Sequence, residues 1–321
     1  MSDVPGRSYF LGISQKTGFK LDSLEKAYRL MEILGRIRQV TELSDRLALK
    51  GGTAIQGLMF GFRRLSVDID LNYIGSVEKV QMEKDRIEIR KTLNLLFKDM
   101  GYEVRQPPIA YAEEQFYLHF TNSGGGLDRL KFEINYLERL PVIGTEVRII
   151  NSPFQDLGKL EIRSYRPEEL YAGKMRTLIV RGTPRDLYDA YLMADKDQSF
   201  DWDLWRKITI FYLAMQSADV RKLDAGSIET LNESDIENQL IPLLSNKENV
   251  DLNLMKEEVV PIVKKLLKFS KGEMDYLNRF YTNYKSEQSL LFNGLNVAER
   301  LENHPSILWR LQKLDEAEKE K

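Results

Sequence analysis

The chain has 321 residues, 42% of them hydrophobic, which is enough for one large or two moderate globular domains with a buried core. Its 47 basic and 49 acidic side chains leave a net charge of −2, so any surface for a polyanion must be local. The absence of cysteine excludes a disulfide framework, a thiolate metal site and a cysteine nucleophile, and two histidines are too few for a histidine-based zinc site. The opening Met1-Ser2-Asp3-Val4-Pro5-Gly6 carries no apolar signal core, and the longest uncharged stretch, Gly51 to Phe62, is too short to cross a bilayer; a cytoplasmic protein with no membrane partner is expected.

Leu24, Ala27, Leu30, Met31, Leu34, Ile37 and Val40 recur at helical spacing and predict a helix over 22–43. Lys50-Gly51-Gly52-Thr53-Ala54-Ile55 then reads as a tight glycine turn delivering the chain into a short helix, with Thr53 as candidate N-cap and backbone amides suited to phosphate oxygens. Ser66-Val67-Asp68-Ile69-Asp70-Leu71-Asn72 follows as a strand. Val67, Ile69, Leu71 and Tyr73 point one way; Ser66, Asp68, Asp70 and Asn72 point the other. Two carboxylates a pleat apart repel each other, so they either lie in water or share a cation such as Mg2+. A solvated strand face is the ordinary explanation of an isolated Asp-x-Asp. The glycine turn upstream shifts the reading toward a nucleoside triphosphate and its magnesium.

A charged helical pattern over 78–100 stops at Gly101. Extended segments are expected at 103–111, 115–120 and 129–137, the last two joined as a hairpin through Ser123-Gly124-Gly125-Gly126, and again near 159–163. Glu133 shares a strand face with Lys131, and an ion pair between them is one reading of both. Pro167 opens a helix to about Arg181, and Pro184 a second to about Asp195. Lys174 falls on the apolar face of the first, where a lysine normally snorkels. Thr183-Pro184-Arg185-Asp186 has the outline of a capping box, and Arg185 and Asp189 are spaced for a helical ion pair. Arg163, Arg166, Lys174, Arg176, Arg181 and Arg185, interleaved with Tyr165, Tyr171 and Tyr188, form a candidate RNA-backbone surface, a solvated face being the plainer reading. The remainder reads as helical, with a polar, loop-rich joint at 216–253. The division expected is 1–163 and 164–321.

Lys50 to Ile55, Arg64-Leu65-Ser66-Val67-Asp68-Ile69-Asp70-Leu71, and Lys174-Met175-Arg176 with Arg185-Asp186-Leu187-Tyr188-Asp189 resemble the marks of the AbiEii-type nucleotidyltransferase toxins, the MenT group included, within the DNA polymerase β-like superfamily. The likeness runs from about residue 20 to residue 195. It implies an α+β fold, a polymerase β-like nucleotidyltransferase core with a mixed sheet followed by a C-terminal helical domain. It also implies Asp68 and Asp70 as Mg2+ ligands, Glu133 as the third carboxylate of that site, and Gly51, Gly52, Thr53 and Ser66 around the nucleotide. Lys174 would reach the triphosphate, with Asp186 as a further active-site acid and Asp189 behind it. The reaction implied moves NMP from an NTP onto an RNA acceptor such as the tRNA 3′ end, in a protein paired with a cognate antitoxin. Fourteen residues separate Thr53 from Asp68, slightly more than is usual in the superfamily, which predicts a helix longer by about half a turn. Kinase-type transfer of the γ-phosphate from the same site, and a non-catalytic GTP- or ATP-binding module, are the alternatives.

Overall fold

A seven-stranded mixed sheet organises the first of two units into which the backbone of the computed structural model divides, residues 4–108, 110–194, 201–216 and 218–319 being described. That unit comprises Met1–Arg139, Thr145–Tyr165 and Glu237–Val250; the second comprises Leu140–Gly144, Arg166–Ile236 and Asp251–Lys321. Neither is a single stretch of chain such as 1–163 or 164–321.

In the first unit, helices α1 (Arg7–Thr17), α2 (Leu21–Gln39) and α3 (Thr41–Ser44) lead into strand β1 (Leu47–Leu49). The extended backbone of Val40 breaks the helix expected over 22–43 into α2 and α3. Helix α4 (Gly51–Ile55) runs on as a π-helical turn, Gln56–Phe60, before β2 (Asp68–Tyr73), so the longer linker is taken up as a wider turn. Then come α5 (Lys79–Asp99), β3 (Glu103–Arg105), the hairpin β4 (Glu113–Thr121) and β5 (Leu127–Asn135), β6 (Thr145–Ile150) and β7 (Leu160–Tyr165). Only the start of the extended segment expected at 103–111 joins the sheet, because Pro107 and Pro108 have no N–H for a ladder. Strand β6 has no counterpart among the expected elements.

The strand order is β3-β4-β5-β2-β1-β7-β6, with β2/β5 and β1/β7 parallel and the other pairs antiparallel. Alternation along β4 and β5 buries Phe116, Leu118, Leu130 and Phe132, and Phe97 of α5 meets Phe116 and Phe132 edge-on at ring separations of 5.6 and 5.1 Å. The opposite face of β4, β5 and β2 is left for Gln115, Tyr117, Lys131, Glu133, Asp68 and Asp70, all partly exposed. Segment Glu237–Val250 returns to brace the chain just before β2: the Leu65 N–H donates to the Leu243 carbonyl at 2.8 Å, and Arg64 bridges Leu244.

The second unit is helical. It contains α6 (Pro167–Arg181), α7 (Pro184–Ala194), α8 (Trp202–Ala214) and, farther on, the helices Leu252–Leu266, Lys271–Thr282 and Pro305–Lys319. The expected end of α7 at Asp195 lies outside the described residues. Tyr171, Leu178, Leu187, Ile208 and Phe211 are fully buried in its core. The region 216–253 holds short helices such as Glu233–Gln239 between turns. Among the described residues no helix is long and apolar enough to cross a membrane.

Candidate active site

Strands β1 and β2 are antiparallel neighbours, so the turn leaving β1 folds back over the start of β2. Two hydrogen bonds stitch them together: the Lys50 N–H donates to the Asp70 carbonyl at 2.9 Å, and the Thr53 hydroxyl donates to the Asp68 carbonyl at 2.8 Å. Gly51 has φ +69°, and a Cβ there would stand 2.4 Å from Asp70 Oδ2. A Cβ on Gly52 would stand 2.8 Å from Arg64 Nη2 and 3.2 Å from Ser66 Oγ. At Gly51 the left-handed backbone and the neighbouring Asp70 carboxylate both favour glycine, while at Gly52 the neighbours are the ends of the Arg64 and Ser66 side chains. Thr53 is not the helix N-cap; that position is Lys50, because the helix starts as soon as Gly51 has turned the chain. The Thr53 side chain is fully buried, with its hydroxyl on the Asp68 carbonyl.

Asp68 and Asp70 lie on the open face of β2, while Ile69 and Leu71 are buried behind them. Burial pushes the Asp70 carboxyl above the usual range; Glu133 and Asp68 push it the same way, and the Lys50 and Lys131 ammoniums oppose them. Lys50 Nζ is 3.7 Å from a Glu138 carboxylate oxygen. The register places Lys131 opposite Asp68 and Glu133 opposite Asp70. Glu133 is engaged already: its Oε2 accepts from Lys131 Nζ at 2.5 Å and from Gln115 Nε2 at 3.1 Å. Among the described residues no three Asp, Glu or His side chains are grouped to hold a metal, so the expected third ligand is engaged by the ammonium two residues away on its own strand face. The Asp68–Asp70 pair nevertheless fits Mg2+: the donors are hard oxygens, and the desolvation and mutual repulsion acting on Asp70 are what a divalent cation relieves.

In the second unit, the ammonium of Lys174, only 8% exposed, lies 2.6 Å from Asp186 Oδ1 and 2.9 Å from Asp189 Oδ2. It turns inward between α6 and α7, where a snorkelling lysine would turn to water. Burial raises the Asp186 carboxyl, but the Lys174 charge and hydrogen bonds from Lys174 and Thr183 outweigh it and hold the group below its ordinary range. The Thr183 hydroxyl donates to Asp186 Oδ2 at 2.7 Å and accepts from the Asp186 N–H at 3.3 Å, so capping and ion pairing share one carboxylate. Tyr165, Tyr171 and Tyr188 are all buried, which removes them as stacking partners for bases; each serves a core. Arg163 donates to the Ser44 carbonyl at 3.3 Å within the first unit, and Arg166 and Arg181 are exposed.

The structure thus gathers Gly51, Gly52, Ser66, Asp68 and Asp70 at one end of β2 and, separately, Lys174, Asp186 and Asp189 between two helices of the other unit. A mixed α+β sheet with paired acids beside a glycine turn, and helices following it, defines a nucleotidyltransferase-type fold. The protein matches over residues 32–267, and belongs to, the nucleotidyl transferase AbiEii toxin family of type IV toxin–antitoxin systems. MenT4, a nucleotidyltransferase toxin from Mycobacterium tuberculosis H37Rv, has the same fold, with a TM-score of 0.65 at 16% identity over 97% of this chain and 99% of that one. JHP933 from Helicobacter pylori aligns less well, with a TM-score of 0.46 at 17% identity over 82% of this chain and 99% of that one. No curated protein sequence matches the chain. Lys50, Lys131 and Arg64 had no individual role in the sequence reading; Lys50 and Arg64 stood inside quoted motifs, and Lys131 only as a partner for Glu133.

Proposed function

We propose that this nucleotidyltransferase toxin transfers NMP from an NTP to an RNA acceptor, such as the 3′ end of tRNA, in a Mg2+-dependent reaction restrained in the cell by a cognate antitoxin. The observation that carries the reading is the approach of the Gly51 backbone, left-handed at φ +69°, to Asp70, where a Cβ would stand 2.4 Å from the carboxylate. Asp68 and Asp70 would hold the magnesium, which when bound supplies charge stabilisation for the phosphoryl oxygens. Gly51, Gly52 and Ser66 border the place assigned to the triphosphate. Lys50 and Lys131, which act electrostatically on Asp70, limit the negative charge that phosphates would meet there. An acceptor hydroxyl attacks the α-phosphorus, the bond from that phosphorus to the bridging β-phosphate oxygen breaks, and pyrophosphate leaves. Lys174, which the resemblance assigns to the same reaction, is held by the Asp186 and Asp189 carboxylates within the second unit.

The test uses purified protein, Mg2+, total cellular RNA and each NTP labelled at either the α or the γ position. Label from the α position should enter RNA, and γ label should leave as pyrophosphate. Asp68→Asn and Asp70→Asn should fold and lose roughly two orders of magnitude or more in kcat. Transfer of γ label would make the protein a kinase, and a folded Asp68→Asn variant with full activity would end the metal-site assignment.

A further inference from the structure

On the acid face of the sheet, Lys131 stands beside Asp68, and Glu133 stands between Asp70 on β2 and Gln115 on β4. Lys131 Nζ and Gln115 Nε2 both hold Glu133 Oε2, at 2.5 and 3.1 Å. The Lys131 side chain remains 37% exposed against 18% for Glu133, so the ammonium has a route to water and the carboxylate has much less of one. Lys131 is thus paired with Glu133 and lies opposite Asp68 in the register, with Asp70 two residues farther along β2. Three carboxylates on neighbouring strands are therefore served by an ammonium from among them.

Building on the metal-site assignment above, we infer that Lys131 is an internal competitor of the divalent cation: it neutralises the acid face until a doubly charged ion takes the carboxylates over. A divalent ion attracts each carboxylate more strongly than an ammonium at equal distance, and the lysine stem can swing to solvent without disturbing the strand. Glu133, released from Lys131, then becomes available beside Asp70. The competition lowers the affinity of the bare protein for metal.

Mn2+ titrations of the full chain without nucleotide, read as free Mn2+ by electron paramagnetic resonance, test this directly. Lys131→Met should bind Mn2+ roughly tenfold tighter than the parent chain, and Lys131→Arg should leave the affinity unchanged because it keeps the charge. Glu133→Gln should shrink the gain from Lys131→Met, since the two residues act as a pair. Lys131→Gln, which keeps a polar chain, replaces the Met variant if the latter loses its cooperative melt. Unchanged or weaker Mn2+ binding in the charge-removing variants, in a protein whose Asp70→Asn form has lost binding, overturns the competition while leaving the metal site standing. Equal Mn2+ binding by the parent and Asp70→Asn overturns both.

Discussion

Replacing Gly51 by alanine tests the closest contact in the candidate site. Two costs can be separated. The backbone at φ +69° is left-handed, which for an L-residue costs about 1–2 kcal/mol wherever it occurs. The new Cβ would also lie 2.4 Å from Asp70 Oδ2 and 3.1 Å from Asp70 Cβ and Cγ, so the carboxylate must move, and forced repacking of this kind adds about 1–3 kcal/mol. Gly51→Ala should therefore destabilise by roughly 2–5 kcal/mol in the parent chain and by less, nearer the first 1–2, in an Asp70→Ala background, where Oδ2 and Cγ are gone and only the Cβ at 3.1 Å remains. Denaturant melts of the four proteins in the cycle give the coupling, and turnover of Gly51→Ala should fall by roughly a hundredfold if Asp70 holds the metal as proposed, because displacing such a carboxylate by about an ångström is enough for that. An identical cost in both backgrounds would show that the Gly51–Asp70 contact contributes nothing and that the turn needs glycine for its backbone alone.

Lys174→Met should destabilise the second unit by about 3–5 kcal/mol, since it strands the buried carboxylates of Asp186 and Asp189; a melt as stable as the parent's would contradict the inward-facing ion pair. Glu169 provides the pH dependence. It accepts from the Val142 and Ile143 N–H groups at 2.7 and 2.9 Å and from the Tyr212 hydroxyl, yet burial outweighs these bonds and pushes its carboxyl from 4.5 to about 7. A carboxyl raised on folding contributes stability that is fully present below the unfolded value and is lost as pH rises through the folded one. Between pH 4.5 and 7 the parent should lose up to ~3 kcal/mol relative to Glu169→Gln, measured as the difference between their denaturation free energies across that range. Parallel pH profiles would place the titration elsewhere.

The parts of the fold that repeat were legible in the sequence. Alternation in 66–73 and in 115–137 gave the acid strand and the hairpin, and prolines at 167 and 184 marked two helix starts, because each of these signals is local. Strand β6 escaped since a six-residue edge strand, with Val147 and Ile149 exposed, lacks a clean apolar face. The return of Glu237–Val250 to the sheet depends on backbone bonds at Leu243 and Leu244, which no side-chain pattern encodes. At the site, the acids were readable from spacing, but the role of Thr53 was not: a threonine after glycines looks like a cap until the partner of its hydroxyl is known. Tyr165, Tyr171 and Tyr188 misled in the same way, since interleaving with arginines along the chain says nothing about which side of a helix or strand is covered.

What joins the unusual positions is that each breaks a local rule of stability. A chain selected only to fold would not desolvate Asp70 beside two other acids, hold a left-handed turn against it, or bury a lysine among carboxylates. An uncharged residue at position 70 would remove the repulsion that Lys50 and Lys131 now oppose. The ammoniums make the acids tolerable without making them inert: they are single charges on flexible stems, one with an exposed route to water, and a divalent ion or a phosphate chain can displace or recruit them. The face of β2 is therefore folded in a state of partial compensation, which is the condition a site needs if binding, rather than folding, is to complete its charge balance.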